Sequence, residues 1–192
     1  VTEGETDTAT LMTFGYDPYL SSQSPYLGAY YAVVDSLTRL TAMGGDSAQA
    51  RLSFQEYFER MSTDPESWGR PLEALLGALE AQLTLEVPAI GGKDSMSGTF
   101  LDRKVPPTLI SFAVGVADAK QLISPEFKEA DRPILLVRAR KLADGLLDPF
   151  KYRKDMTMVH GLILAGRVDA ASTIGMGGVF AAVSKMAFGN QI

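Results

Sequence analysis

The sequence predicts a mixed α/β (α+β) chain, and three stretches carry that prediction. An Ala/Leu-rich helical pattern over 72–85 runs straight into the apolar Val87–Ile90 and stops at Gly91-Gly92. Helix, strand, then glycine-bearing loop is an α/β order. The apolar, β-branched Thr108–Val116 reads as a buried strand, and residues 25–43 repeat apolar side chains at helical spacing behind Ser24-Pro25.

Composition narrows the function. With 192 residues, 46% hydrophobic and 21% charged, the chain falls in the ordinary globular range and can bury a sizeable core. Its length allows one full domain or parts of two. No apolar run approaches the roughly 20 residues of a membrane span, and no signal-peptide pattern opens it. Cysteine is absent, which excludes disulfides and thiolate metal sites and suits a cytoplasmic protein. A single histidine, His160, argues against an imidazole-built site. A net charge of -5 argues against general affinity for nucleic-acid backbone. Starting at Val1 and stopping at Gly189-Asn-Gln-Ile192, the chain reads as a piece of a longer protein.

Residues 1–10 are polar and Thr-rich and read as a disordered or linking start. Leu11–Phe14 reads as a short strand closed by Gly15-Tyr-Asp-Pro18. Ser24 as N-cap and Pro25 at the first helical position open a helix. Leu27, Tyr30, Val34, Leu37 and Met43 lie near one face of it, and Gly44-Gly45 ends it. Its tyrosines read as core rather than as a stacking platform for a base. After Asp46-Ser47 a second helix is expected, with Phe54, Tyr57, Phe58 and Met61 as its stripe and Glu56 and Glu59 on a solvated face. Pro65 and Trp68–Pro71 form a connector. Leu75, Leu76, Leu79 and Leu83 then mark the helix that ends at Leu85.

Further on, Ser124-Pro-Glu-Phe127 reads as a capped turn or short helix, and the charged Lys128–Arg132 as a domain boundary. Ile134–Val137 is an expected strand. Asp155–Arg167 is an expected helix with Met158, Leu162 and Ala165 on one side, where His160 is a packed or surface residue. Val168–Ile174 is an expected strand giving way to Gly175-Met-Gly-Gly178. Those glycines launch a helix through Val179, Val183 and Met186. Such a turn can present free N–H groups to phosphate, although glycines there also serve close packing.

The chemistry concentrates in Pro88-Ala-Ile-Gly-Gly-Lys-Asp-Ser-Met-Ser97. Gly91 and Gly92 permit positive φ and close backbone approach. Lys93 offers a point charge, Ser95 and Ser97 offer hydroxyl donors, and successive N–H groups in a tight loop can form an anion nest. The order is not that of a Walker loop. A hydrated turn accounts for the same residues equally well.

Arg51-Leu-Ser-Phe-Gln-Glu-Tyr-Phe58, Pro88–Ser97 and Pro106-Pro-Thr-Leu-Ile-Ser-Phe-Ala113 together closely resemble phosphoribosylformylglycinamidine synthase, a purine-pathway amidotransferase of the AIR-synthetase-like superfamily. Gly15-Tyr-Asp-Pro18, Ser24-Pro-Tyr-Leu-Gly28 and the helix opening at Gly177-Gly178 agree in order, so the resemblance spans nearly the whole chain. It implies part of an AIR-synthetase amino-terminal-like domain over 1–130 and the beginning of the carboxy-terminal-like α/β domain over 131–192, both from the later of two homologous halves. It implies a cytoplasmic carbon–nitrogen ligase that uses ATP, Mg²⁺ and glutamine-derived ammonia. That enzyme converts formylglycinamide ribonucleotide to its amidine, releasing ADP, phosphate and glutamate. The implied partners are a phosphorylated ribonucleotide substrate, the first synthetase half and a glutaminase domain, with no nucleic acid and no membrane. Taken alone the piece is expected to be inactive, and to self-associate through an exposed sheet edge or apolar patch.

By the same resemblance Gly92, next to Gly91, approaches the nucleotide through its backbone, and Ser95 contacts the substrate phosphate. Lys93 stands where short family members carry an Asn that helps hold Mg²⁺, so it is read as a charge facing phosphate. Asp94 is then the candidate Mg²⁺ contributor. Thr173 and Gly175 replace an Asp and a Ser that serve an auxiliary nucleotide–metal site in long members, so the resemblance does not extend to that site. No catalytic residue is assigned. Two alternatives remain at this point: a purely structural half of the same enzyme, or another superfamily member such as AIR synthetase or selenophosphate synthetase.

Overall fold

A computed structural model describes residues 4–192. Strand β1 (Thr8–Gly15) leads through α1 (Pro18–Gln23) into α2 (Pro25–Ala42). Asp17 caps α1 by accepting from Tyr19 N and Leu20 N, and Ser24 caps α2 by accepting from Leu27 N. Each helix has proline just inside its start, where the missing N–H would have had no partner. Next come β2 (Arg51–Tyr57), α3 (Pro65–Leu85) and β3 (Ala89–Lys93). A small hairpin of β4 (Thr99–Phe100) and β5 (Arg103–Lys104) precedes the long β6 (Thr108–Asp118). Helices α4 (Pro149–Leu164) and α5 (Gly178–Phe188) follow.

Four strands form one sheet in the order β1-β6-β2-β3. β6 pairs antiparallel with β1 from Thr8↔Asp118 to Gly15↔Ser111, and with β2 from Arg51↔Val114 to Tyr57↔Thr108. β2 and β3 run parallel, which requires the crossover that α3 supplies. Helices α2 and α3 cover one face. Leu11, Leu52, Phe54, Leu109 and Ala113 point into that layer against Tyr30, Val33, Leu37 and Leu40.

The layer is thin because its contact residues are small. A Cβ on Gly15 would lie 2.1 Å from Ala32 O, and one on Gly77 would lie 2.0 Å from Tyr26 O. Buried hydroxyls in the layer are satisfied. Thr13 Oγ1 donates to Ser36 O (2.6 Å), and Ser36 Oγ shares a 2.9 Å bond with Ser111 Oγ. An unpaired polar group here would cost about 1–3 kcal/mol.

The other sheet face is bare among the described residues. Met12, Phe14 and Val116 are exposed there, with Ile110, Phe112 and Val114 half-buried beside them. The second part of the chain reaches the first through Leu147 and Tyr152, which join the same core; Tyr152 donates to Val34 O at 3.3 Å. No helix among the described residues is long and apolar enough to cross a membrane.

Several expectations change. Residues 8–10 belong to β1 rather than to a linking start, and residues 1–3 lie outside the described residues. The helix expected after Asp46 is a 3₁₀ turn (Ser47–Gln49) followed by β2. The expected connector at Pro65–Pro71 is the first part of α3, capped by Asp64. α3 also faces the other way: Ala74, Gly77, Ala78 and Ala81 are buried, while Leu75, Leu76, Leu79 and Leu83 are exposed. Ile134–Val137 and Val168–Ile174 form no ladder, and only an isolated bridge joins Ser124 to Ala170. In α4 the buried residues are Tyr152 and Ile163, and Met158 is exposed.

Candidate functional site

The glycine–lysine stretch is strand rather than tight turn. Ala89–Lys93 pairs with β2 through Ser53↔Gly91, Phe54↔Gly92 and Gln55↔Lys93. Beyond Lys93, Ser95 N–H donates to Glu56 O (3.1 Å) and Phe58 N–H donates to Ser95 O (2.8 Å). That pair of bonds continues the parallel ladder and sets Asp94 beside Glu56. The Ser95 amide is therefore held inside the sheet and is not free for an anion nest. Gly92 permits a close backbone approach to β2: a Cβ there would sit 2.5 Å from Phe54 O. A Cβ on Gly91 would meet nothing within 4 Å.

Strand alternation sorts the candidate residues onto two faces. Gly91, Lys93 and Ser95 lie on the bare face of the sheet, alongside Ser53, Gln55 and Tyr57. Gln55 Nε2 donates to Lys93 O at 3.1 Å, and Ser95 Oγ lies 3.1 Å from Ser97 Oγ. The Lys93 side chain is exposed and has no ion-pair partner among the described residues. A cation, a hydroxyl and a primary amide thus border one bare strand surface, the donor set that suits an anionic oxygen.

Gly92 and Asp94 lie toward the helices, with Phe54 and Glu56. Glu56 is 7% exposed, and its carboxylate takes part in no hydrogen bond or ion pair among the described residues. Burial pushes its pKa up to about 7, and the charge on neighbouring Asp94 adds to the shift. Glu59, also buried, is held by Arg70 (2.9 Å) from α3 and Lys104 (2.7 Å) from β5. The solvated-face reading of both glutamates is corrected. Their signal was available: Leu52, Phe54, Glu56 and Phe58 alternate at period two, as a half-buried strand does.

Among the described residues no three His, Asp or Glu side chains gather as a metal site. Two surface clefts, of about 490 and 350 Å³, flank Arg70, and neither includes any residue from Gly91 to Ser97. At α5, Gly177 holds the N-cap at φ 88° without a side-chain cap bond.

The chain is similar in sequence to PurL subunits and similar in fold to solved PurL structures. The PurL subunit of phosphoribosylformylglycinamidine synthase from Pyrobaculum neutrophilum is 26% identical over 193 residues, covering 92% of this chain and 27% of the relative. The same subunit from Rhodopseudomonas palustris strain BisB18 is 27% identical over 204 residues, covering 94% and 27%. T. maritima PurL complexed with ATP superposes with a TM-score of 0.68 at 20% identity over 96% of this chain and 30% of that one. The chain is similar to a segment of the PurL subunit of phosphoribosylformylglycinamidine synthase. No family model matches it. A second T. maritima PurL structure, complexed with FGAR, gives a TM-score of 0.67 at 15% identity, covering 96% of this chain and 32% of that one. The mixed α/β fold is accordingly that of PurL, and the chain spans about a quarter of the PurL subunits it matches.

Proposed function

We propose that this chain is part of an ATP-dependent carbon–nitrogen ligase that converts formylglycinamide ribonucleotide to its amidine with glutamine-derived ammonia. In that reaction the substrate amide oxygen is phosphorylated by ATP, and ammonia then displaces phosphate. Positioning and charge neutralisation carry such chemistry. Lys93 and Ser95 supply part of both, from the bare sheet face, to a phosphate of the nucleotide or of the ribonucleotide. Their shared face, with no counter-charge paired to Lys93, is the observation that supports this reading. Binding of ATP and of FGAR by the T. maritima PurL structures supports it further.

Mg²⁺ fits this chain only in part. Mg²⁺ is commonly held by one or two carboxylates together with substrate phosphates. Asp94 offers one exposed carboxylate, but strand alternation puts it on the face opposite Lys93 and Ser95, away from a phosphate held there. The division into 1–130 and 131–192 belongs to the same reading. So does the occupant of the bare sheet face, the first synthetase half, with the glutaminase supplying ammonia from elsewhere in the assembly.

Calorimetric titration of the chain with ATP–Mg²⁺, and separately with the ribonucleotide, tests the proposal. Lys93→Ala is expected to weaken phosphate-dependent binding by about tenfold or more. Because Lys93 is exposed, its melting temperature stays unchanged. Equal affinity of the two forms would remove Lys93 from the site. A fallen melting temperature with intact binding would favour the purely structural reading of this half.

A further inference from the structure

Helix α3 is apolar on two opposite sides. Its small side, with Ala74, Gly77, Ala78 and Ala81, is pressed against α2. Its large side carries Trp68, Leu72, Leu75, Leu76, Leu79 and Leu83, each between 45% and 67% exposed. An ordinary surface helix does the reverse, burying its leucines and presenting charge to water. This inversion separates the patch from the bare sheet face, which lies on the other side of the molecule's helical layer.

Leu72, Leu76, Leu79 and Leu83 follow the alternating four- and three-residue steps of a heptad seam, with Trp68 and Leu75 widening it on one side. The seam leaves about 600 Å² of apolar surface in water, the size of the largest patch on a typical monomer. A twofold pairing over it would bury about 1,200 Å², the size at which specific interfaces begin. The borders decide the direction. One border carries Glu66 (paired with Arg70), Glu73 (which accepts from Ser24 Oγ and Tyr26 N) and Glu80, at seven-residue spacing; the other is Trp68, Leu75 and Gln82, without charge. Antiparallel helices would bring the two glutamate rows together. Parallel helices set each glutamate row against an uncharged border.

We propose that α3 is a self-association surface, on which a second copy of this chain docks its own α3 in parallel through the Leu72–Leu83 seam. This inference does not rest on the ligase reading, and its test reads mass and cross-linking rather than ligand binding.

Sedimentation of the full chain over a concentration series is expected to show a dimer. Leu76→Glu combined with Leu79→Glu is expected to give a monomer over the same range, with unchanged circular dichroism because both side chains are exposed. The chain has no cysteine, so Leu83→Cys introduces a single thiol. Near one end of the seam that thiol meets its own copy only in a parallel pair, and mild oxidation is expected to yield a disulfide-linked dimer. Three results would overturn the proposal. One is a parent chain that stays monomeric throughout. Another is a dimer that survives the double glutamate change, which moves association to a different face such as the bare sheet. The third is a dimer lost on Leu76→Glu/Leu79→Glu whose Leu83→Cys form does not cross-link.

Discussion

Glu56→Gln is expected to stabilise the chain at pH 8 and to change nothing below pH 4.5. The carboxyl of Glu56 moves from 4.5 to about 7 on folding, first through burial and then through the charge on Asp94. Between those values the folded chain keeps a proton that the unfolded chain has released, so stability falls as pH rises. Above pH 7 both states are ionised and the penalty is constant; below 4.5 both are protonated and it vanishes. The full swing is about 3 kcal/mol. Glutamine has nearly the same shape and never ionises, so its profile lacks this slope. Urea midpoints of the two forms, measured against pH in chelated, metal-free buffer, should diverge between pH 4.5 and 7. Parallel profiles would mean that Glu56 is solvated or has a partner.

Gly77→Ala should be among the most damaging single-methyl additions to the chain. Its new Cβ would fall 2.0 Å from Tyr26 O and 2.8 Å from Tyr26 C, both backbone atoms of α2 that cannot rotate away. The two helices must separate, which opens the layer around Tyr30 and Ala78. The expected net loss is about 2–3 kcal/mol, even though alanine is the better helix former by about 1 kcal/mol. Gly69→Ala in the same helix provides the internal control, because its Cβ would meet nothing within 4 Å. That change should raise the denaturation midpoint while Gly77→Ala lowers it. A similar shift for both would show that α2 and α3 do not approach as closely as described.

Local signals were legible where local chemistry decides the structure. Ser24-Pro25 and Gly44 mark the ends of α2 because capping and left-handed glycine involve only neighbouring residues. β2 was obscured by a coincidence of periods. Phe54, Tyr57, Phe58 and Met61 satisfy a helical stripe, while Leu52, Phe54, Glu56 and Phe58 satisfy a strand, and a buried glutamate disguised the alternation. For α3 the helix is legible in the sequence and its orientation is not. Hydrophobicity ranks leucine above alanine, but contact with α2 was chosen by size, through Gly77 and Ala78. Ile134–Val137 has strand composition and no partner strand, since pairing depends on distant residues that propensity does not register. In the candidate site, Gly91 to Ser95 stood out as a string. Which face each side chain takes follows from register with β2, and register is not a local property.

The position of Lys93 and Ser95 on an uncovered apolar sheet has a thermodynamic consequence. In open water, a unit charge attracts an anion 4 Å away by about 1 kcal/mol, and by several times more where the effective dielectric constant is near 20. On the proposed reading, a body that covers Lys93 together with its face neighbours Gln55 and Ile110 displaces that water, so it strengthens the grip of Lys93 on an anion without touching the anion. Linkage makes the effect reciprocal: the anion tightens attachment of the covering body by the same factor. On that reading cover and ligand act as allosteric effectors of one another, communicating through the solvent they exclude.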